Sequence, residues 1–152
     1  MAARAGMMFA ALNAGMAINT AGTAGLHAIQ GPVGNATKTP HGVGIGVLLR
    51  YVTRFTVAVR RSAFEEMADL WGLDGRGDRA VRALERIDEL LDAVGIPGTI
   101  AELGVEAADI PELASAAMGA GRLIRNSPRP MTQEVIEEML RRAMSGDRTV
   151  WS

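Results

Sequence analysis

Two histidines are the residues of this chain best suited to chemistry. His27 lies in Gly25-Leu26-His27-Ala28-Ile29-Gln30-Gly31-Pro32-Val33-Gly34, and His41 in Thr39-Pro40-His41-Gly42-Val43-Gly44. They are the only histidines, fourteen positions apart, in one glycine-rich apolar stretch. Neutral imidazole is the commonest protein metal ligand, so the pair has the makings of half a metal site. The plainer alternative is two histidines hydrogen-bonded inside a helix-rich core. Other ligand types are missing nearby: cysteine is absent from the chain, and no Asp or Glu precedes Glu65. Without cysteine there are no disulfides, thiolate metal sites or cysteine nucleophiles, which suits a reducing, cytoplasmic setting. The glycines at 31, 34, 42, 44 and 46 either let a cofactor approach the backbone or let helices pack and turn tightly.

The elements that must hold these residues read as helices. Met7 to Ile18 is rich in Ala and Met, and a further helix follows His41 through Leu48, Leu49, Val52 and Phe55. Ser62-Ala63-Phe64-Glu65 has the form of a capping box, in which serine and glutamate side chains each satisfy a free amide at a helix start. That helix is expected to stop near Gly72. Asp78 opens another, with Val81, Leu84, Ile87, Leu90, Leu91 and Val94 as one apolar stripe. Gly95 and Pro97 close it. Thr99-Ile100-Ala101-Glu102 is a second capping box, for a short turn ended by Gly104. Asp109 precedes a helix through Leu113 and Met118, Asn126-Ser127-Pro128-Arg129-Pro130 forms a rigid loop, and Thr132 caps a last helix with Val135, Ile136, Met139 and Leu140. No pair of runs alternates as strands with hairpin turns between them.

These readings predict one all-α domain over residues 1–146, with a motif region at 25–55, a helical remainder at 62–145 and a frayed tail at 147–152. With 152 residues the chain can bury a respectable core. Aromatics make up only 4%, so that core must be aliphatic and methionine-rich, with Met7, Met8 and Met16 as filler. Charge is unevenly placed. Residues 1–64 carry Arg4, Lys38, Arg50, Arg54, Arg60 and Arg61 against no acid, whereas the rest holds ten arginines against seventeen acids. The six cations form no cluster able to follow a phosphate backbone, so no nucleic-acid partner is expected. Asn13, Asn19, Thr20, Thr23 and His27 interrupt the apolar residues 5–30, so no membrane span is expected there either. Arg60-Arg61 and Arg141-Arg142 are read as solvated, and Arg129, between two prolines, as structural.

Taken together, Gly-Leu-His-Ala, the Gly-Pro-Val-Gly run, Thr-Pro-His-Gly and Leu48-Leu49-Arg50-Tyr51-Val52-Thr53-Arg54-Phe55 resemble the iron-containing (group III) alcohol dehydrogenases. Leu91-Asp92-Ala93-Val94-Gly95-Ile96-Pro97, Leu103-Gly104-Val105, Asp109-Ile110-Pro111 and Asn126 to Thr132 follow in the same order as in that family's C-terminal region. The resemblance runs over roughly residues 5 to 145. It implies a helical bundle like the family's C-terminal domain, N-terminally truncated. It further implies part of an enzyme that interconverts small alcohols and aldehydes by hydride transfer to or from NAD(P), with one Fe2+ or Zn2+ as Lewis acid.

In that family an Asp and three His hold the metal, and the resemblance maps the last two His onto His27 and His41. The Asp and the first His lie upstream in the family, on a stretch this chain does not contain, and the nucleotide-binding domain lies upstream too. The chain alone is therefore expected to be inactive, with NAD(P) bound only alongside the missing N-terminal domain. Partners are expected to be a separate chain carrying that domain, or further copies of this one. The alternative role is a non-catalytic helical assembly or regulatory module derived from such an enzyme. The chain departs from the family at Gly31, where many members carry a histidine suited to proton relay, and at Arg50, where proline is usual. No catalytic or NAD(P)-binding residue is assigned.

Overall fold

The computed structural model describes residues 1–73 and 77–151. Its described residues form seven α-helices and contain no strand: α1 (Ala2–Ala21), α2 (Gly25–Thr37), α3 (His41–Leu70), α4 (Arg79–Ala93), α5 (Ile110–Met118), α6 (Gly121–Arg125) and α7 (Gln133–Ser145). Two 3-10 turns, Ala101–Leu103 and Ala107–Asp109, lie between α4 and α5. The all-α expectation holds.

The main core forms where α2, α3, α5 and α7 meet, around Ile29, Val33, Leu48, Tyr51, Phe55 and Leu140. A second cluster joins the far part of α3 to α4 through Val57, Phe64, Ala68, Leu84 and Ile87. Among the described residues α3 is the one helix long and apolar enough to cross a membrane, and here its Val47, Leu48, Tyr51, Phe55 and Val57 lie in the core. The Tyr51 hydroxyl donates to the Gly98 carbonyl at 2.6 Å, fixing the segment after α4 onto α3.

Local chemistry sets most helix ends. The Asp78 carboxylate accepts from the amides of Ala80 and Val81. Thr99 and Glu102 exchange side-chain and backbone bonds as a capping box does, and Thr132 accepts from the amide of Val135. Gly95, Gly104 and Gly146 take the left-handed conformation just past their helices, at φ of 75°, 94° and 78°.

Five expectations need correction. A helix does begin near Ser62, but Ser62 does not cap it: α3 is two helices joined at a kink at Arg60 (φ −132°, ψ 31°), so the amides that a serine cap would serve already lie within the second helix, and Glu65 pairs with Arg61 instead. Met7, Met8 and Met16 are not core filler: they stand 70%, 75% and 63% exposed, and α1 buries none of its residues. α1 is apolar all round, whereas a helix buried at the edge of a domain needs one apolar stripe turned toward neighbours. Only its last turn is tied down, where Asn126 donates its amide to the carbonyls of Ala21 and Thr23, each at 3.0 Å.

The tail does not fray. The Trp151 amide donates to the Arg54 carbonyl, its ring meets Phe55 edge-on at 5.2 Å, and the Arg142 guanidinium lies 4.4 Å over it. Arg142 is thus partly covered rather than solvated, while Arg61 and Arg141 remain exposed in ion pairs with acids. Ser152 lies outside the described residues. Finally, residues 25–37 and 121–125 are helical although neither stretch shows helical periodicity. Arg129 has the structural role expected, its guanidinium 4.6 Å over the Phe55 ring.

Arg50, unexplained by the sequence, is fully buried. It donates to the Asp92 carboxylate at 2.7 Å and to the carbonyls of Asp88 and Ile96, each at 3.3 Å. Arg54 clasps the Asp88 carboxylate at 2.6 and 3.4 Å, and Arg148 of the tail reaches the same carboxylate at 3.4 Å. Buried charges persist only when paired and hydrogen-bonded, and this network pairs each of them between α3, α4 and the tail, leaving Arg50 Nε as the one atom of the Arg50 guanidinium without a hydrogen-bond partner among the described residues.

Candidate metal half-site

His27 is the third residue of α2 and His41 the first of α3. The chain between them turns sharply. Thr37 donates its hydroxyl to the Val33 carbonyl, Lys38 adopts a left-handed conformation at φ 57°, and Pro40 precedes α3 with its fixed φ. At the start of α2, Gly25 makes room for the Met131 side chain, whose sulfur would lie 2.1 Å from a Cβ there. The result brings the two imidazoles side by side, ring centroids 5.3 Å apart and planes tilted by 47°. His27 is half-buried, whereas His41 lies at the surface. Burial, and second the neighbouring His41, hold the pKa of His27 below its ordinary value. It is therefore neutral at pH 7, the form in which an imidazole ligates a metal.

The third member of the group is Gln30. It is buried, and His41 Nδ1 donates to its Oε1 at 2.8 Å. Sequence reasoning assigned this residue no role. The available signal was the pair of glycines that make room for it: a Cβ at position 34 would lie 2.5 Å from Gln30 Nε2, and one at position 44 would lie 3.1 Å away. The two readings of the glycine set divide accordingly. Gly34 and Gly44 seat Gln30, and Gly46 makes room for Ile96, which would lie 3.0 Å from a Cβ there, all in packing roles. Gly31 and Gly42 face open space. Gly31 carries no group that could relay a proton.

A divalent metal tests this donor set directly. The two imidazoles are the right ligand type, on rigid helices, and close enough to act together. A catalytic site keeps at least three protein ligands, and the described residues contain no group of three or more His, Cys, Asp or Glu able to hold a metal. His27 and His41 therefore fit two positions of such a site and leave the others unfilled.

Residues 1–144 match the Fe-containing alcohol dehydrogenase family, C-terminal. The 1,3-propanediol dehydrogenase of Klebsiella pneumoniae is 35% identical over 145 residues, covering 93% of this chain and 37% of that protein. The NAD-dependent methanol dehydrogenase of Bacillus methanolicus is 32% identical over 149 residues, covering 93% of this chain and 38% of its own length. Among solved structures, the alcohol dehydrogenase from Oenococcus oeni superposes with a TM-score of 0.78 at 30% identity, over 86% of this chain and 35% of that one. The chain spans little more than a third of the length of the curated relatives it matches. By sequence and by fold, it belongs to the iron-containing alcohol dehydrogenase family and corresponds to its C-terminal helical region.

Proposed function

We propose that this chain forms the metal-facing helical part of an NAD(P)-dependent iron-type alcohol dehydrogenase, interconverting small alcohols and aldehydes in the cytoplasm, and that it is inactive by itself. The observation that carries this reading is the meeting of His27 and His41 at 5.3 Å across the α2–α3 turn. When bound, Fe2+ or Zn2+ supplies Lewis acidity to the alcohol oxygen, and NAD(P) carries the hydride. The chain's own residues contribute two imidazoles held by helices, with open backbone at Gly31 and Gly42 beside them. The remaining ligands and the nucleotide seat come from a second segment.

The test is reconstitution. The chain is mixed with a polypeptide carrying a glycine-rich nucleotide turn and an Asp-x-x-x-His pair on one helix. Elemental analysis should find iron or zinc in the mixture, NADH should be oxidised when an aldehyde is added, and His27→Ala or His41→Ala should abolish both. A mixture that binds neither metal and reduces no aldehyde overturns the reading.

The wholly exposed apolar helix α1 favours a second reading, a non-catalytic module kept for assembly with another chain or with further copies of itself. Its signature is association that survives His27→Ala and His41→Ala unchanged, with no metal taken up.

A further inference from the structure

Gln30 sits on α2 three residues after His27 and is only 5% exposed. Burying an amide is costly unless its polar atoms are bonded, so the placement calls for a reason. The seat is shaped for this side chain: Gly34 and Gly44 leave the space the amide occupies, and alanine at either position would intrude on it. Its oxygen lies 2.8 Å from His41 Nδ1. An amide oxygen can only accept, so Nδ1 must carry the hydrogen. In a neutral imidazole the other nitrogen then keeps its lone pair. Among the described residues His27 has no comparable side-chain hydrogen bond; its ring contact is with His41.

We infer that Gln30 is a positioning residue: it fixes His41 in the Nδ1–H tautomer and so presents Nε2 as the ligating nitrogen beside His27. Metal-binding histidines characteristically donate their second ring N–H to an oxygen, which fixes both tautomer and ring orientation. Here α2 supplies one histidine and also the group that orients the other, so the pair is arranged before any cation arrives. The inference rests on the proposed function only in taking a divalent cation as what Nε2 faces. The tautomer can be read without one.

The experiment uses the full 152-residue chain, 15N-labelled, metal-free and at pH 8, with long-range proton–nitrogen NMR of the imidazole rings. The expected result is a protonated, pyrrole-type Nδ1 and an unprotonated, pyridine-type Nε2 at His41. Gln30→Ala should return the ring to the Nε2–H form that an unrestrained imidazole favours. Gln30→Glu retains an acceptor oxygen and should restore Nδ1–H. Zinc chloride titrated into the same samples and followed at the ring resonances should bind about 10- to 100-fold more weakly to Gln30→Ala than to the parent, with recovery in Gln30→Glu. An Nε2–H tautomer at His41 of the parent chain overturns the inference whether or not any variant folds. So does a tautomer or a zinc affinity that Gln30→Ala leaves unchanged. If no sample takes up zinc, the tautomers decide the role of Gln30, and reconstitution with the partner segment separately decides the metal reading.

Discussion

Helices α4 and α1 are both built from good helix formers, yet α4 buries Ala80, Ala83, Leu84, Ile87 and Asp88 while α1 buries none of its twenty residues. α4 has a carboxylate cap, a single apolar stripe and a charged outer face. α1 has no side-chain cap, no acid and apolar residues on every side. Propensity makes both helical, but burial is decided by pattern and by the surfaces within reach. The chemistry follows the same division. The half with the acids finds partners for its buried carboxylates on α3, whereas the half with both histidines leaves a helix uncovered and a ligand set short.

The sharpest way to break this contrast is at Asp88. Asp88→Ala takes the paired carboxylate from buried Arg54 and leaves Arg50 only Asp92, and it should cost about 3–5 kcal/mol in chemical denaturation, the usual penalty for removing one partner of a buried pair. Leu84→Ala, deep in the α3–α4 cluster, should cost about 2–5 kcal/mol. A cost near zero for either would show that this half is less tightly built than its contacts indicate.

A smaller effect belongs to His27. Its folded pKa lies below the ordinary value of 6.5, so the fold favours the neutral ring. Its contribution is complete above the unfolded pKa and is lost as pH falls from about 6.5 through the lower folded value. Thermal melts between pH 8 and pH 5 should therefore show a decline that His27→Gln lessens. An identical decline in both proteins counts against a neutral, half-buried ring. The smallest effect is expected in α1: Leu12→Ala should change stability by no more than about 0.5 kcal/mol. If Leu12→Ala costs as much as Leu84→Ala in the isolated chain, α1 is packed against something and the contrast between the halves fails.

Features fixed by near neighbours were legible in the residues. Asp78, Thr99 and Thr132 cap helices because their side chains reach amides two or three positions away, and Gly95, Gly104 and Gly146 end helices because they accept a positive φ. The histidine pair was legible for the same reason, being confined to one short segment. What escaped depends on distant partners. Arg50 looks misplaced until Asp88 and Asp92 arrive from α4, and the tail looks loose until Trp151 finds Phe55. Helix α2 carries three glycines and a proline, so propensity argues against it; contacts with α3 and α5 decide the matter. Gln30 was hidden because its partner lies eleven residues away, across a turn.

Asp88 also bears on how the molecule comes apart. Its carboxylate is reached from the middle of α3 by two arginines and from the C-terminal tail by a third, at the junction of the two hydrophobic clusters. Clusters of unequal size on one long, broken helix would otherwise open at different temperatures. Loss of the smaller cluster would strip Arg54 of this carboxylate and expose Arg50, so the two are expected to melt as one cooperative unit. Calorimetry should show a single transition for the parent chain and a broadened or divided one once Asp88 is replaced.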